Sequence, residues 1–209
     1  IGDIAGWCGI RFANKSANPI VCSHNLFLRG KELTNVVIPS TVDSIHAHAF
    51  RACRSLDTVW VSSGVKYIGT FAYQYSLEAP TGIVPRDNVV IRLCSFGFCF
   101  AHPLNECKYN EEFVPIIEKW SQIAPNLYIW DYVVNFWQYV APFPNFNVLA
   151  ENIKLFKKHN AIGVREQAAY QSNGGEFSDM KAWVLSKLLW NPYQNTRELV
   201  SQFINDYYG

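Results

Sequence analysis

The chain has 209 residues, which is enough for one large domain or two small ones. Apolar residues make up 49% of the sequence, so it can form a core and is not globally disordered. The formal net charge is +1 without a long basic run, which argues against nucleic acid as the main partner, and no apolar run reaches the roughly 18 residues of a membrane span.

The N-terminal third of the sequence is a repeat. Segment 33–50 is followed by a similar segment 56–73, and Leu56 takes the place of Leu33, so the period is 23 residues. A period of this length is typical of leucine-rich repeats, and each copy is expected to supply one short strand, at Val36–Ile38 and at Val59–Val61. Matching apolar positions are Val36/Val59, Ile38/Val61, Val42/Val65, Ile45/Ile68 and Ala49/Ala72.

This pattern resembles the BspA-type leucine-rich repeats of bacterial and protist surface proteins. The resemblance rests on the motif Leu-Thr-x-Val-x-Ile-Pro-Ser-x-Val-x-Ser-Ile-x-x-x-Ala-Phe-x-x-Cys-x-Ser-Leu at 33–56 and on its second copy, and it covers roughly residues 1–77. It implies a short leucine-rich-repeat solenoid that serves as an extracellular binding or adhesive scaffold.

The period ends where Pro80, Gly82 and Pro85 indicate a linker or a long turn. We therefore predict a repeat domain over residues 1–79 and a second domain over residues 80–209, each with a core of its own.

The C-terminal part alternates strands and helices. Strands are predicted at 88–93, 127–133 and 161–165, because these runs are short and rich in β-branched or aromatic residues. Apolar residues at helical spacing follow each strand, and Asn195 with Glu198 three residues later predicts the start of a fourth helix. Three βα units predict an α/β fold with a parallel sheet, and because a complete β/α barrel has eight units, we expect a partial, half barrel.

A second resemblance covers about residues 86–209. It rests on the motifs Val-x-Arg92-Leu-Cys94, Cys99-Phe-Ala-His102-Pro-Leu-x-x-Cys107, Tyr128-x-Trp130-Asp131-Tyr132-x-x-Asn135, Pro142-Phe-Pro-Asn145 and Glu166-Gln-x-x-Tyr170-Gln-Ser-x-Gly-Gly175-Glu176-Phe. These motifs resemble a bacterial domain of unknown function that occurs beside carbohydrate-active modules and is similar to α-glucuronidase-type glycoside hydrolase barrels. The resemblance implies a β/α barrel that acts on glycans or descends from enzymes that do.

Asp131 and Glu166 are the candidate catalytic residues. They stand at the ends of successive predicted strands, where parallel βα folds place functional groups, so their side chains are expected to converge on one mouth. By resemblance to α-glucuronidases, the pair would activate water as the base of an inverting glycoside hydrolase. The alternative is that the two carboxylates pair with Arg92 or Arg165 as structural ions at the rim.

Other residues of these motifs are candidates for substrate binding. The guanidinium of Arg92 could hold a sugar carboxylate or could instead neutralise Asp131. Aromatic side chains can stack on sugar rings, with packing under a loop as the alternative. The matched region offers no general acid, since Glu176 follows two glycines and is expected to begin a helix. The substrate-binding candidates are Arg92, His102, Trp130, Tyr132, Asn135, Gln167 and Tyr170.

The side chains of Cys94, Cys99, His102 and Cys107 are of types that bind zinc. Their spacing along the chain fits poorly with the C-x₂₋₄-C pairs of structural zinc sites. We therefore predict a buried thiol cluster without metal, and no cofactor elsewhere.

The resemblances imply a secreted or cell-surface protein associated with glycans, whose ligand is a carbohydrate or a surface protein. The barrel half in which related enzymes place their acid is absent, so this chain alone is expected to bind glycan weakly if at all and to hydrolyse none at an enzyme-like rate. One alternative is an α-glucuronidase-like inverting hydrolase that uses Asp131 and Glu166. Another is a recombined chimeric fragment without an evolved joint function.

Overall fold

The computed structural model describes residues 1–13, 15–46, 49–172 and 174–209. The chain divides into two compact units, Ile1–Ile68 and Gly69–Gly209. Sequence analysis placed a domain boundary between residues 79 and 80, whereas here residues 69–79 belong to the second unit, because Ala72, Leu77 and Ala79 pack into its core. No helix in the described part of the chain combines the length and the apolar character that a membrane crossing requires.

The first unit consists of short elements. Its small core contains apolar residues from the first helix and from both copies of the repeat, with Ile4, Cys8, Val36 and Val65 among the buried members. The elements are α1 (Ile4–Cys8), α2 (Ile20–Ser23), β1 (Phe27–Leu28), β2 (Lys31–Glu32), β3 (Asn35–Ile38) and β4 (Thr58–Val61), with a 3₁₀ turn at Lys15–Ala17.

The two strands of the repeat pair in parallel. Val36 lies opposite Val59 and Ile38 lies opposite Val61, which is the register that the 23-residue period predicts. Both predicted strands are thus confirmed. The leucine-rich-repeat solenoid is not: among the described residues, β3 and β4 form a separate two-stranded sheet and no solenoid is detected.

The turns that follow β3 and β4 approach each other closely at Gly64. A Cβ atom at Gly64 would lie 2.0 Å from the carbonyl oxygen of Ser40, which is far inside van der Waals contact. We expect Gly64→Ala to destabilise the first unit by about 1–3 kcal/mol, because the backbone must shift to admit the methyl group. The control is Gly2→Ala, where a Cβ meets nothing within 4 Å. Hydrogen exchange followed by mass spectrometry would measure the amide protection of the first unit separately from that of the second. Equal protection in the two variants would count against the close approach of the two turns.

The second unit carries a four-stranded sheet. Its strand order is β5-β6-β7-β8, and β6, β7 and β8 are parallel neighbours. Helices separate these three strands along the chain, so the predicted α/β fold with a parallel sheet and alternating βα units is confirmed. The elements are β5 (Ile68–Ala72), β6 (Val89–Cys94), α3 (Phe113–Ile123), β7 (Asn126–Tyr132), α4 (Phe146–Lys158), β8 (Ala161–Gln167), α5 (Ser178–Trp190) and α6 (Thr196–Tyr208), with 3₁₀ turns at Gln74–Ser76 and Lys108–Asn110.

The start of α6 agrees with the start predicted from the sequence, whereas the start of α5 differs from the prediction. Asn195 caps α6, since its side-chain oxygen accepts hydrogen bonds from the N–H groups of Arg197 and Glu198. Glu176 was expected to begin a helix, but α5 begins at Ser178. The Glu176 carboxylate instead accepts a hydrogen bond of 2.8 Å from the buried ammonium of Lys181.

The two faces of the sheet have different surroundings. Leu93, Ile129 and Val164 lie level with one another and pack against α3 and α4 through Phe113 and Phe156, and we call this side the helix face. Residues one position away along each strand project to the opposite face, because side chains alternate along a strand. Which face a residue occupies therefore decides which groups it can act with.

Candidate functional site

The C-terminal ends of β6, β7 and β8 carry the candidate residues. Asp131 pairs with Glu166 in the register of β7 and β8, and both lie on the helix face because Ile129 and Val164 precede them by two positions. Trp130 is level with Cys94 and Arg165 and projects to the opposite face. The structure thus brings the two candidate catalytic residues together and separates them from Trp130, its neighbour in sequence.

Asp131 is 3% exposed and is held by two hydrogen-bond donors. The hydroxyl of the fully buried Ser95 donates to Asp131 Oδ1, and the backbone N–H of Tyr132 also donates to this carboxyl group. Burial raises the pKa of Asp131 to about 6, although both hydrogen bonds act in the opposite direction. Ser95 was not among the predicted residues; its position directly after β6, level with Asp131, was the available signal.

Glu166 lies beside Asp131 but is held by fewer hydrogen bonds. Its Oε2 atom is buried and has no hydrogen-bond partner among the described residues. Burial, and secondly the charge of Asp131, raises the pKa of Glu166 well above the usual range of a carboxyl group. Each of these two carboxyl groups therefore holds its proton more tightly than an exposed carboxyl group does, and the two titrate as a pair.

Arg92 and Arg165, the predicted alternative partners of these carboxylates, both lie against aromatic rings. The guanidinium of Arg165 lies 4.2 Å from the ring centre of Trp130, and that of Arg92 lies 5.6 Å from the ring centre of Phe71. Both arginines project to the face opposite the carboxyl pair.

An open cleft of about 470 Å³, which we call the aromatic cleft, lies on that opposite face. Neighbouring rings meet edge to face, with centroids 5.1 Å apart for Phe71 and Trp130 and 5.3 Å apart for Phe96 and Tyr132. Burial raises the pKa of Tyr132, so its phenol stays protonated. The cleft is lined by Phe71, Tyr73, Cys94, Phe96, Trp130, Tyr132, Phe136, Gln167, Tyr170 and Gln171.

Two amide side chains, Gln167 and Gln171, are among the polar groups of the aromatic cleft. Gln167 Oε1 accepts a hydrogen bond of 2.6 Å from the indole N–H of Trp130, which fixes both side chains. Gln171 Nε2 donates to the hydroxyl of Tyr170 at 3.0 Å, and Tyr170 is 67% exposed at the rim. The cleft therefore combines flat apolar surfaces with hydrogen-bonding amides, as ligand sites commonly do.

The aromatic cleft contains four of the seven predicted substrate-binding residues: Trp130, Tyr132, Gln167 and Tyr170. Arg92 lies next to it, against Phe71. His102 and Asn135 lie elsewhere: His102 lies in the loop after β6, and the side-chain oxygen of Asn135 accepts a hydrogen bond from the N–H of Trp137.

Six of the ten residues that line the aromatic cleft were not among the predicted substrate-binding residues. Phe71 and Tyr73 were assigned to the repeat, although residue 71 belongs to β5 of the main sheet. Phe96 and Phe136 follow β6 and β7 by a few residues, and this position after a strand was the signal that could have identified them.

The predicted cluster of cysteines is divided in two. Cys94 lines the aromatic cleft, and burial raises the pKa of its thiol. Cys99, His102 and Cys107 lie together in the loop between β6 and α3. Burial raises the pKa of Cys99, but hydrogen bonds, the one to His102 first among them, outweigh this and leave its pKa below the usual value.

A model of the family described as "Domain of unknown function (DUF4838)" matches residues 58–209. The match covers more than half of the chain and includes the carboxyl pair, the aromatic cleft and the cysteine loop. No curated protein and no solved structure matches the chain. The comparisons do not support the resemblance to leucine-rich repeats or to glycoside hydrolases.

Proposed function

We propose that this chain, which belongs to the DUF4838 family, binds glycans in the aromatic cleft and does not hydrolyse them. The observation that carries the proposal is the open set of aromatic rings around two amide side chains at the C-terminal ends of three parallel strands. Sugars present flat C–H faces that pack on aromatic rings, and hydroxyl groups that bond to amides.

The surroundings of the aromatic cleft favour an acidic glycan. Arg165 is exposed and stacked on Trp130, and Arg92 lies against Phe71, so two guanidinium groups stand beside the lining. A guanidinium can hold a carboxylate through two parallel hydrogen bonds. A uronate-bearing oligosaccharide is therefore the ligand that suits both the rings and the charges.

Hydrolysis is the second candidate function, and the carboxyl pair favours it. Two neighbouring carboxyl groups whose pKa values are raised towards the working pH are the kind of groups that acid–base catalysis uses. The α-glucuronidase-like alternative would use Asp131 and Glu166 in this way. However, a sugar in the aromatic cleft lies on the other face of the sheet from both carboxyl groups, so we favour binding.

The proposal extends to the first unit and to the location of the protein. We infer a leucine-rich-repeat-type binding module there, supported by the parallel pairing of β3 and β4 at the repeat offset. Such a module, together with a half barrel that carries the cleft, suits a secreted or cell-surface protein. If the chain is instead a recombined fragment without joint function, the cleft has no glycan ligand, and the following experiment decides this.

We expect Trp130→Ala to weaken glycan binding by at least about tenfold, because truncating a central aromatic residue removes 1.4 kcal/mol or more. A glycan array that includes uronate-bearing oligosaccharides would identify the ligand, and calorimetric titration would measure the affinity. The matched control is Trp137→Ala, since Trp137 is 99% exposed and lies outside the lining of the cleft. A wild-type chain that binds no glycan, or an equal loss in both variants, would overturn the proposal.

A further inference from the structure

The loop between β6 and α3 brings together three side chains that belong neither to the aromatic cleft nor to the carboxyl pair. Cys99 Sγ lies 3.3 Å from His102 Nδ1, and Cys107 Sγ lies 3.9 Å from the same nitrogen. All three potential ligand atoms lie within 4.8 Å of one another. Two sulfur atoms and one imidazole nitrogen thus surround a single point.

These separations match those around a tetrahedral zinc ion. With Zn–S near 2.3 Å and Zn–N near 2.0–2.1 Å, tetrahedral angles place neighbouring ligand atoms about 3.6 Å apart. The observed 3.3 Å and 3.9 Å bracket this value, so small side-chain rotations would suffice. Thiolate and imidazole ligands in a tetrahedral arrangement favour zinc over the harder cations.

The backbone of the loop is already fixed around the three side chains. The fully buried side chain of Asn110 accepts from the N–H of Cys99 at 2.6 Å and donates to the carbonyl oxygen of Cys99 at 2.9 Å. Leu104 is buried, and its N–H donates to the side chain of Asn152 on α4 at 3.0 Å. A metal ion would therefore meet preorganised ligands.

We propose that Cys99, His102 and Cys107 bind one zinc ion, with solvent in the fourth position. His102 is exposed, so water can reach the open side of the site. This departs from the prediction of no metal, which was drawn from the distances between cysteines along the chain. That prediction gave no weight to Cys99-x-x-His102, a pair of ligand types two residues apart, or to the turn that returns Cys107 to them.

The site has a structural consequence for the loop, which is independent of glycan binding. The ring of Phe98 meets that of Phe113 at 5.1 Å, and the ring of Phe100 meets that of Tyr132 at 6.3 Å. Cys99 stands between these two phenylalanines. Zinc would thus hold the segment that packs the loop onto α3 and onto the outer side of the aromatic cleft.

The test is metal analysis of the untagged full chain, purified under reducing conditions with zinc and then freed of loose metal by gel filtration. We expect close to one zinc per chain in the wild type and less than about a tenth of that in Cys99→Ser/Cys107→Ser. Cobalt(II) added to the metal-free chain should give the visible absorption of a tetrahedral thiolate complex in the wild type alone. Zinc should also raise the melting temperature of the wild type and leave that of the double variant unchanged.

The matched control is Cys22→Ser, because Cys22 is an exposed free cysteine. It should retain the zinc and the cobalt spectrum. The proposal is overturned if the reduced wild type holds no zinc, or if Cys22→Ser loses metal to the same extent as the double variant. It is equally overturned if Cys99 and Cys107 form a disulfide in the purified chain and the chain still binds no zinc after that disulfide is reduced.

Discussion

Raising the pH from 4 to 7 should lower the free energy of unfolding by about 3 kcal/mol through Asp131 alone. The pKa of this carboxyl is about 6 in the folded chain and returns to its ordinary value near 4 on unfolding. The folded state therefore holds the proton more tightly. The stabilisation is fully present below pH 4 and is lost as the pH rises through 6. The pKa of Glu166 is also raised in the folded chain, so Glu166 adds to this loss as the pH rises.

Urea unfolding at a series of pH values would measure this effect. Asp131→Asn should lose the part of the decline between pH 4 and 7 that Asp131 causes, and Glu166→Gln should also flatten the profile, because the pKa of Glu166 is raised in the folded chain. The control is Asp43→Asn, because Asp43 is exposed and its carboxylate makes surface contacts, a 3.8 Å ion pair with Lys66 and a hydrogen bond from the hydroxyl of Ser44. A wild type with a flat profile, or an Asp131→Asn variant with the wild-type slope, would show that the pKa of Asp131 is not raised in the folded chain.

Lys181→Met should destabilise the second unit by about 3–5 kcal/mol. The ammonium of Lys181 is 3% exposed, donates to Glu176 at 2.8 Å and to the carbonyl oxygen of Val133 at 3.3 Å, and lies over the rings of Phe143 and Phe146. Its removal would leave the mostly buried Glu176 carboxylate without its cation. Thermal or chemical unfolding of the variant would measure the loss.

Two further variants separate the charge effect from packing. Lys154→Met removes the cation of a partly exposed pair with Glu151, which at 2.7 Å is similarly short, and should change stability by less than about 1 kcal/mol. The double variant Lys181→Met/Glu176→Gln should recover much of the loss, because neither charge is then left alone. If Lys181→Met were no more harmful than Lys154→Met, the ion pair would not be an essential part of the fold.

The elements of the second unit could be predicted because their apolar patterns are local. Leu127 and Ile129 alternate with polar or half-buried neighbours along β7, and Ile116, Ile117 and Trp120 form one buried stripe of α3. Residues 68–72 were assigned to the repeat, since their sequence fits both a repeat turn and a strand. Only the pairing of β5 with β6, which depends on residues far apart in sequence, decides between them.

Some features of the candidate site follow from the sequence, and others depend on the three-dimensional fold. That Asp131 and Glu166 would be neighbours followed from their places at the ends of successive strands, and the register confirms it. That Trp130 would face away from Asp131 follows from alternation along a strand, which the sequence analysis did not apply. The burial of Lys181 and the approach of Cys107 to Cys99 depend on how loops fold back, and spacing along the chain does not contain that information.

Glycan binding in the aromatic cleft, on the face opposite the carboxyl pair and without cleavage, can be tested directly. The most direct measurement is a titration of the oligosaccharide selected on the array into wild type, Trp130→Ala and Asp131→Asn, with product formation followed in the same samples. We predict that Asp131→Asn binds like the wild type, that Trp130→Ala binds at least about tenfold more weakly, and that no sample releases product at an enzyme-like rate. Loss of binding in Asp131→Asn, or brisk cleavage by the wild type that Asp131→Asn abolishes, would show instead that the carboxyl pair acts on the glycan.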